Sequence, residues 1–186
     1  MKFTSKRNNV QLIDSRVHKH SPTTMLEAQI LRQLHAHGVP VPQVIEAQEN
    51  LLILDFLPGQ PLPDVIEHGD YCPVQLAHAL YDWFAAFAQA CPGLSRGDVN
   101  GRNFLYDGTQ VFAVDFEEEL QPGSLADDCG RLAAFLATYR TAHSEKQAEL
   151  VHTFMQKNGY PVHAFLCELV AMQQRRGLNG LWPNGS

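Results

Sequence analysis

Apolar positions in the first third of the chain predict a small β-rich unit with one helix. Short apolar runs separated by polar residues over residues 3–20 indicate two or three strands, and residues 44–47 and 51–54 indicate two more. Between them, residues 21–38 predict a helix with Ser21 as its N-cap, proline at its first position and glycine at its end. The apolar stripe of that helix is formed by Leu26, Ile30, Leu31 and Leu34.

From residue 61 onward the pattern is mainly helical. Residues 73–90 carry apolar side chains over a face too broad for a helix on a free surface, so we expect a helix at the centre of a second unit. Three later helices are expected: one capped by Ser124, one opened by a capping box of Ser144 and Gln147, and one running from Pro161 to about Arg176. Strands followed by helices along the chain predict an α+β fold.

A β-hairpin is predicted between the helix over residues 73–90 and the helix capped by Ser124. Two apolar runs, residues 104–106 and 111–114, flank Asp107-Gly108, a pair of residues that tolerates positive φ and is typical of a turn. If the hairpin bends near Thr109, residues whose numbers sum to about 218 lie opposite one another. The sequence therefore fixes an expected register as well as an expected hairpin.

Polar oxygen-bearing residues are expected to meet at the open end of this hairpin. In the predicted register Asn103 and Asp115 face each other, and Asp98 lies on the loop that leads into the first strand. Amide and carboxylate oxygens suit a hard cation such as Mg²⁺, which binds few protein groups and completes its shell with phosphates and water. The sequence thus predicts a magnesium site next to a further carboxylate.

Composition and charge narrow the expected partners. The 186 residues carry a net charge of −6, which gives no general affinity for nucleic acid or an anionic membrane, and no apolar run reaches the length of a membrane span. The first residues lack the apolar core of a signal peptide. The four cysteines form no Cys-x-x-Cys pair and lie among apolar neighbours, which predicts buried free thiols and a reducing cytoplasm.

The spacing of Asp98, Asn103 and Asp115 resembles the catalytic and metal-binding loops of the protein-kinase-like fold. Residues 96–99, Arg-Gly-Asp-Val, with a later Val-Asp-Phe-Glu are similar to the aminoglycoside phosphotransferase and choline kinase branch, whose motif usually begins His-Gly-Asp. The chain is also as compact as the atypical protein kinases of the RIO group and of the KEOPS assembly. The resemblance implies two lobes: a reduced β-rich N-lobe over residues 1–57 and a helical C-lobe over residues 58–186 with a catalytic hairpin at 98–115.

That resemblance implies an ATP site between the two lobes. Backbone groups around Asp55 and Leu57, where the chain leaves the sheet, are expected to meet the adenine base. Lys19 is expected to hold nucleotide phosphates, and Glu27, the acid of the first helix, to pair with it. Arg16 is the alternative to Lys19, because related enzymes sometimes carry the basic group a few residues earlier.

The same resemblance assigns roles at the hairpin. Asn103 and Asp115 are expected to bind Mg²⁺, and Asp98 to accept or orient the proton of an acceptor hydroxyl. Residues 117–119 are three consecutive glutamates that we expect to form a solvated acidic turn, with a position of Glu117 near the metal as the alternative.

A further acid is expected near the catalytic loop. Either Asp127 or Asp128, in the first turn of the helix capped by Ser124, is implied to brace the backbone of that loop. The alternative is that both only complement the helix dipole.

The function implied is an ATP- and Mg²⁺-dependent kinase that transfers a phosphoryl group to a hydroxyl of a small molecule. No glycine-rich loop precedes Lys19, although residues 5–9 are expected to replace it, and Arg96 departs from the usual histidine; both features favour a nucleotide-binding pseudokinase. The short C-lobe leaves little sequence to wall in an acceptor. A RIO-like atypical protein kinase or ATPase with a protein substrate is therefore the other alternative.

Overall fold

An antiparallel sheet with one helix against it forms the N-terminal part of the protein. The computed structural model describes residues 2–4 and 9–175, so most of the expected replacement for the glycine-rich loop, residues 5–8, lies outside the described chain. The five strands are β1 (Lys2–Thr4), β2 (Asn9–Ile13), β3 (Arg16–His20), β4 (Val44–Gln48) and β5 (Leu51–Asp55), in the spatial order β1-β2-β3-β5-β4. The strands predicted from the apolar runs are confirmed.

Helix α1 (Thr24–Ala36) packs against β4 and β5 but begins later than the sequence indicated. Its N-cap is Thr23, and the hydroxyl of the predicted N-cap Ser21 instead accepts a hydrogen bond from the backbone N–H of Thr23 at 3.2 Å. The helix buries Leu31 and Leu34 completely. Glu27 lies on the same buried side, so this helix carries a carboxylate into the interior.

Five helices make up most of the C-terminal part. They are α2 (Leu62–His68), α3 (Pro73–Ala90), α4 (Leu125–Thr138), α5 (Ser144–Lys157) and α6 (Val162–Arg175). The prediction of a central helix over residues 73–90 is confirmed, because α3 buries Trp83, Phe84 and Phe87 almost completely. The ring of Trp83 meets that of Phe104 edge-on at 5.2 Å between centroids, which joins α3 to the hairpin.

The capping box expected at Ser144 is wrong. Ser144 is the first residue of α5, and Gln147 is buried, where its Nε2 donates to the carbonyls of Leu136 and Tyr139 at 2.6 Å each. The Gln147 side chain, which the pattern assigned to the cap of α5, thus binds carbonyls at the end of α4. A capping box does form at Ser124, the cap predicted for α4.

The predicted hairpin is formed by β8 (Phe104–Tyr106) and β9 (Val111–Ala113), but its register differs by one residue from the prediction. Phe104 lies opposite Ala113 and Tyr106 opposite Val111, so paired numbers sum to 217. The connection is a four-residue turn, in which the Asp107 carboxylate accepts hydrogen bonds from the backbone N–H groups of Thr109 and Gln110. Asn103 therefore faces Val114, whose N–H it binds through its carbonyl at 2.9 Å, and Asp115 lies one residue beyond.

Two short strand pairs that the pattern did not predict hold the loops around this hairpin. β6 (Gln60–Pro61) pairs with β8, and β7 (Leu94–Ser95) pairs with β10 (Gln121–Pro122). A 3₁₀ turn, Gly101–Asn103, leads directly into β8. The segment between β7 and β8 is therefore tied to a strand at both ends.

The cysteines are free, but the prediction that all are buried is wrong for two of them. Cys91 and Cys129 are buried, whereas Cys72 and Cys167 are exposed. Apolar neighbours in sequence do not bury Cys167, because it lies on the outer face of α6. Within residues 2–4 and 9–175, no helix has both the length and the apolar character that crossing a membrane requires.

Candidate active site

Lys19 lies at the centre of a cluster of three carboxylates. Strand β3 sits between β2 and β5, and the Lys19 side chain is buried. Its Nζ atom is 2.7 Å from Glu27 Oε2, 2.5 Å from Asp115 Oδ1 and 2.7 Å from Glu117 Oε1. Arg16, the alternative basic residue, is exposed at the start of the same strand and lies opposite Asp55. The geometry therefore favours Lys19 over Arg16.

The charges in this cluster hold one another in place. Burial acts to lower the pKa of Lys19, but Glu27 and Asp115 outweigh it and raise the pKa above its usual value. Burial also acts to raise the pKa of Asp115, and the Lys19 charge reverses this and lowers it. Burial raises the pKa of Glu117, with Lys19 opposing the shift and the neighbouring Asp115 charge adding to it.

Glu27 connects three parts of the chain. Its side chain is 1% exposed, and besides the ion pair with Lys19 its Oε1 accepts a hydrogen bond from the backbone N–H of Phe116 at 3.1 Å. Helix α1, strand β3 and the segment after the hairpin therefore meet at one carboxylate. An unpaired charge buried to this degree is strongly unfavourable, so the ion pair with Lys19 offsets the cost of burying the Glu27 carboxylate.

The sequence favoured a solvated acidic turn for Glu117, and the structure contradicts this. Glu117 is partly buried and contacts Lys19 across the interior. One carboxylate oxygen from each of Glu27, Asp115 and Glu117 lies within 4.8 Å of the others, and three such oxygens form a donor set that suits a hard divalent cation.

Asp98 is exposed on the loop between β7 and the 3₁₀ turn, and two amides orient it. Its Oδ1 accepts a hydrogen bond from Asn100 Nδ2 and its Oδ2 from Asn103 Nδ2, each at 2.9 Å. Asn103 is buried, so its amide nitrogen holds Asp98 while its backbone pairs with the hairpin. The loop turns at Gly97, where φ is +83°. The structure thus brings Asp98 and Asn103 into direct contact, as their spacing suggested.

Asp128, rather than Asp127, braces this loop. Its carboxylate is 1% exposed and accepts hydrogen bonds from Ser95 Oγ at 2.5 Å and from the backbone N–H of Arg96 at 2.8 Å. Burial raises the pKa of Asp128, and these hydrogen bonds oppose the shift. Asp127 instead completes the capping box of α4 with Ser124. The two neighbouring acids therefore have separate tasks.

Arg96 replaces the expected histidine and is fully engaged. Its side chain is buried, and its guanidinium lies 5.0 Å from the ring centroid of Phe104 and 4.4 Å from that of Phe116. Its Nη2 donates to the backbone carbonyls of Val114 and Asp115, the latter at 3.2 Å. Burial lowers the pKa of Arg96 to about 10, with Asp98 and other nearby acids opposing the shift, so the group stays charged at neutral pH.

A cavity of about 520 Å³ opens beside Asp98. The loop contributes Asp98 and Asn100, helix α4 contributes Arg131 and Phe135, and helix α6 contributes Glu168. The sequence suggested that the C-lobe was too short to wall in an acceptor. Helix α6 packs on α4 and forms one side of this half-open cavity. Whether the C-lobe walls in an acceptor stays a prediction.

The residues expected to meet adenine lie at the end of the sheet. Asp55 ends β5, and its Oδ1 accepts a hydrogen bond from the backbone N–H of Gln43 at 2.5 Å. Leu57 is half-buried in the segment that follows, before β6. The Asp55 side chain is thus held by a neighbouring loop, and the backbone beyond it joins the two parts of the chain.

The chain is similar to a known protein family. The model of the RIO domain matches residues 3–149. Among individual proteins, an EKC/KEOPS complex subunit BUD32 from Encephalitozoon cuniculi is 28% identical over 95 residues, 50% of this chain and 45% of the relative. A serine/threonine-protein kinase rio2 from Schizosaccharomyces pombe is 34% identical over 94 residues, 50% of this chain and 26% of the relative. The matched region is thus less than half the length of either relative.

Solved structures share the fold. A choline/ethanolamine kinase family protein from Mesorhizobium loti aligns with a TM-score of 0.59 at 14% identity, covering 98% of this chain and 81% of the other. The ADP-bound aminoglycoside phosphotransferase APH(2'')-Ib aligns with a TM-score of 0.61 at 11% identity, covering 99% and 86%. The predicted resemblance to the protein-kinase-like fold and the α+β fold class are confirmed.

Proposed function

Because the chain belongs to the RIO domain family, we propose that it is a kinase that uses ATP and Mg²⁺ to phosphorylate a hydroxyl group of a small molecule. The observation that carries this proposal is the position of Asp98. Its carboxylate borders the cavity between α4 and α6 and is hydrogen-bonded to Asn103, which belongs to the expected metal pair. A proton acceptor, a metal ligand and a space for an acceptor thus adjoin one another.

In this proposal ATP lies between the two lobes. The backbone around Asp55 and Leu57 receives the adenine base, and Lys19 binds phosphate oxygens. Glu27 keeps the Lys19 ammonium aimed, since the pair is buried and 2.7 Å apart. Asp115 and Glu117 also contact Lys19, so on nucleotide binding the ammonium exchanges some of these carboxylate contacts for phosphate contacts of the same charge.

Asn103 and Asp115 would hold Mg²⁺, and Glu117 would add a third oxygen ligand. Their oxygens fit a hard cation, and the low pKa of Asp115 keeps that ligand ionised at neutral pH. When bound, Mg²⁺ neutralises the charge on the phosphates of ATP. The contribution of the chain itself is to hold these ligands at a fixed separation before ATP arrives.

Asp98 would accept the proton of the acceptor hydroxyl. The bond from the γ-phosphorus to the bridging oxygen of ADP breaks, a bond from that phosphorus to the acceptor oxygen forms, and the hydroxyl proton passes to the Asp98 carboxylate. Asn100 and Asn103 fix the direction in which this carboxylate points. Positioning of this kind provides most of the rate enhancement in phosphoryl transfer.

A protein acceptor is the second candidate. The relatives are named as a protein kinase and as a subunit of a protein complex, which favours a RIO-like atypical kinase or ATPase. The concave, partly enclosed space beside Asp98 supports a small-molecule acceptor, because small ligands bind in clefts of several hundred Å³. A pseudokinase that only binds nucleotide is the third candidate. A cytoplasmic location remains a prediction.

The test is phosphate transfer from ATP labelled at the γ-position. The purified chain is incubated with Mg²⁺ and, in separate reactions, with hydroxylated metabolites and with candidate proteins. We expect label to move to a metabolite and the transfer to stop when EDTA removes Mg²⁺. Label found only on protein would support the second candidate, and ATP binding without any turnover would support the pseudokinase.

A further inference from the structure

The guanidinium of Arg96 connects both sides of the hairpin mouth. Its Nη2 reaches the carbonyls of Val114 and Asp115 on one side, and its Nη1 lies 3.5 Å from the carbonyl of Asn103 on the other. The expected metal ligands Asn103 and Asp115 are thus tied through their own backbones to one side chain.

The environment leaves this guanidinium little freedom. It lies over the ring faces of both Phe104 and Phe116, and aromatic faces attract a cation. The backbone N–H of Arg96 is held by the buried carboxylate of Asp128 at 2.8 Å. A planar group held against two aromatic rings, on a residue whose backbone is itself hydrogen-bonded, can fix the position of the carbonyls that its N–H groups bind.

Asp115 has a backbone conformation that needs such support. Its φ is +70°, a region that residues with a side chain rarely occupy. The hydrogen bonds from Arg96 to the Val114 and Asp115 carbonyls lie on either side of this strained position. They oppose relaxation of the backbone, which would rotate the Asp115 carboxylate away from the hairpin mouth.

We propose that Arg96 is a positioning residue that sets the affinity of the site for a divalent cation by fixing Asn103 and Asp115 relative to each other. This inference rests on the proposed function, because it assumes that these two residues bind the metal. Arginine suits the task because its planar group presents several N–H donors in a fixed arrangement, so it can reach three carbonyls at once. Lysine keeps the charge but cannot span them.

The test measures Mn²⁺ binding by electron paramagnetic resonance, in the presence of an ATP analogue that cannot be hydrolysed. Three variants are compared with the wild type: Arg96→Met, Arg96→Lys and the control Lys157→Met. Lys157 lies 5.0 Å over the ring of Tyr81, so its replacement also removes a cation from an aromatic face, but at the surface of α5 away from the site. Metal-free affinity for the ATP analogue is measured in parallel.

Loss of a group that orients metal ligands typically weakens metal binding about 10- to 100-fold. We expect Arg96→Met to weaken Mn²⁺ binding by about tenfold or more, and the metal-free affinity for the analogue by less than about threefold. Arg96→Lys should also weaken Mn²⁺ binding, and Lys157→Met should not. If Arg96 only filled space in the interior, its replacement would lower stability but would not weaken Mn²⁺ binding more than metal-free binding of the ATP analogue.

Each other outcome contradicts a defined claim. Mn²⁺ affinity within about threefold of the wild type in folded Arg96→Met would overturn the positioning role. If circular dichroism shows that Arg96→Met does not fold, Arg96→Lys decides, and wild-type Mn²⁺ affinity in that variant would overturn the role. A wild-type chain that binds no Mn²⁺ with the analogue would instead contradict the proposed function, so the two failures are distinguishable.

Discussion

Replacing Lys19 by methionine should weaken both the fold and ATP binding, whereas replacing Arg16 should do neither. Methionine has a similar length but no charge, so Lys19→Met leaves Glu27, Asp115 and Glu117 facing one another without the ammonium that now lies within 2.7 Å of each. Arg16 is exposed at the start of the same strand. The pair of variants therefore separates the buried role from a general effect of positive charge on β3.

The expected loss of stability follows from burial. Removing one member of a buried ion pair costs roughly 3–5 kcal/mol. The Asp115 and Glu117 side chains are 44% and 24% exposed, so water screens part of the repulsion among the carboxylates. We therefore expect the lower end, about 3 kcal/mol, for Lys19→Met. That loss corresponds to a fall in melting temperature of about 6–12 °C for a chain of this size. For Arg16→Met we expect a loss of unfolding free energy of about 0.5 kcal/mol or less.

The assay combines denaturant unfolding followed by circular dichroism with calorimetric titration of ATP. A charged hydrogen bond contributes roughly 1.5–3 kcal/mol, which makes ATP binding by Lys19→Met weaker by about 10- to 100-fold. Mg²⁺ should partly restore the stability of this variant, because the exposed carboxylates form a better cation site without the ammonium. Greater damage from Arg16→Met, or wild-type behaviour of Lys19→Met in both assays, would refute the reasoning.

Three further predictions concern the metal site, the brace and the cavity wall. Asp115→Ala should abolish Mg²⁺-dependent ATP binding, and a titration that matches the wild type would count against the assigned ligand. Asp128→Asn should destabilise the fold by about 1–3 kcal/mol near pH 4. Because burial raises the folded pKa of Asp128, the contribution of this carboxyl to stability falls as pH rises from about 4 through the raised pKa. In denaturant unfolding, the difference in free energy of unfolding between wild type and variant should therefore shrink over that range, and a constant difference would contradict the shift. Gly130→Ala should push α6 away from α4, since the added Cβ would lie 2.6 Å from Ala164 Cβ, at a cost of about 1–3 kcal/mol; unchanged melting and unchanged acceptor turnover would contradict this.

Local sequence pattern predicted what depends on local structure. The strands, helix α3 and the hairpin follow from the spacing of apolar residues and from Asp107-Gly108. The register was wrong by one residue because the Asp107 side chain organises a four-residue turn. The capping box was placed at Ser144 because its motif is short, and the tertiary bonds of Gln147 to the end of α4 prevailed.

The site was harder to predict where it depends on contacts between distant residues. Lys19 and Asp115 are 96 positions apart and still form an ion pair, which family resemblance suggested and pattern alone could not. Glu117 was expected in solvent because its neighbours in sequence are also acidic. In the structure it forms an ion pair with Lys19, which is distant in sequence. The side of the cavity that α6 forms depends on close packing at Gly130, which no periodicity reveals.

The most direct test of the proposed chemistry is ATP turnover by Asp98→Asn compared with the wild type at saturating ATP and Mg²⁺. Asp98 is exposed, so its replacement should leave the fold and the ATP affinity nearly unchanged. Loss of a general base should slow transfer about 10²–10⁴-fold, or roughly 3–5 kcal/mol of barrier. Equal turnover by the two proteins, with ATP still bound, would remove Asp98 from the chemistry and leave nucleotide binding as the function.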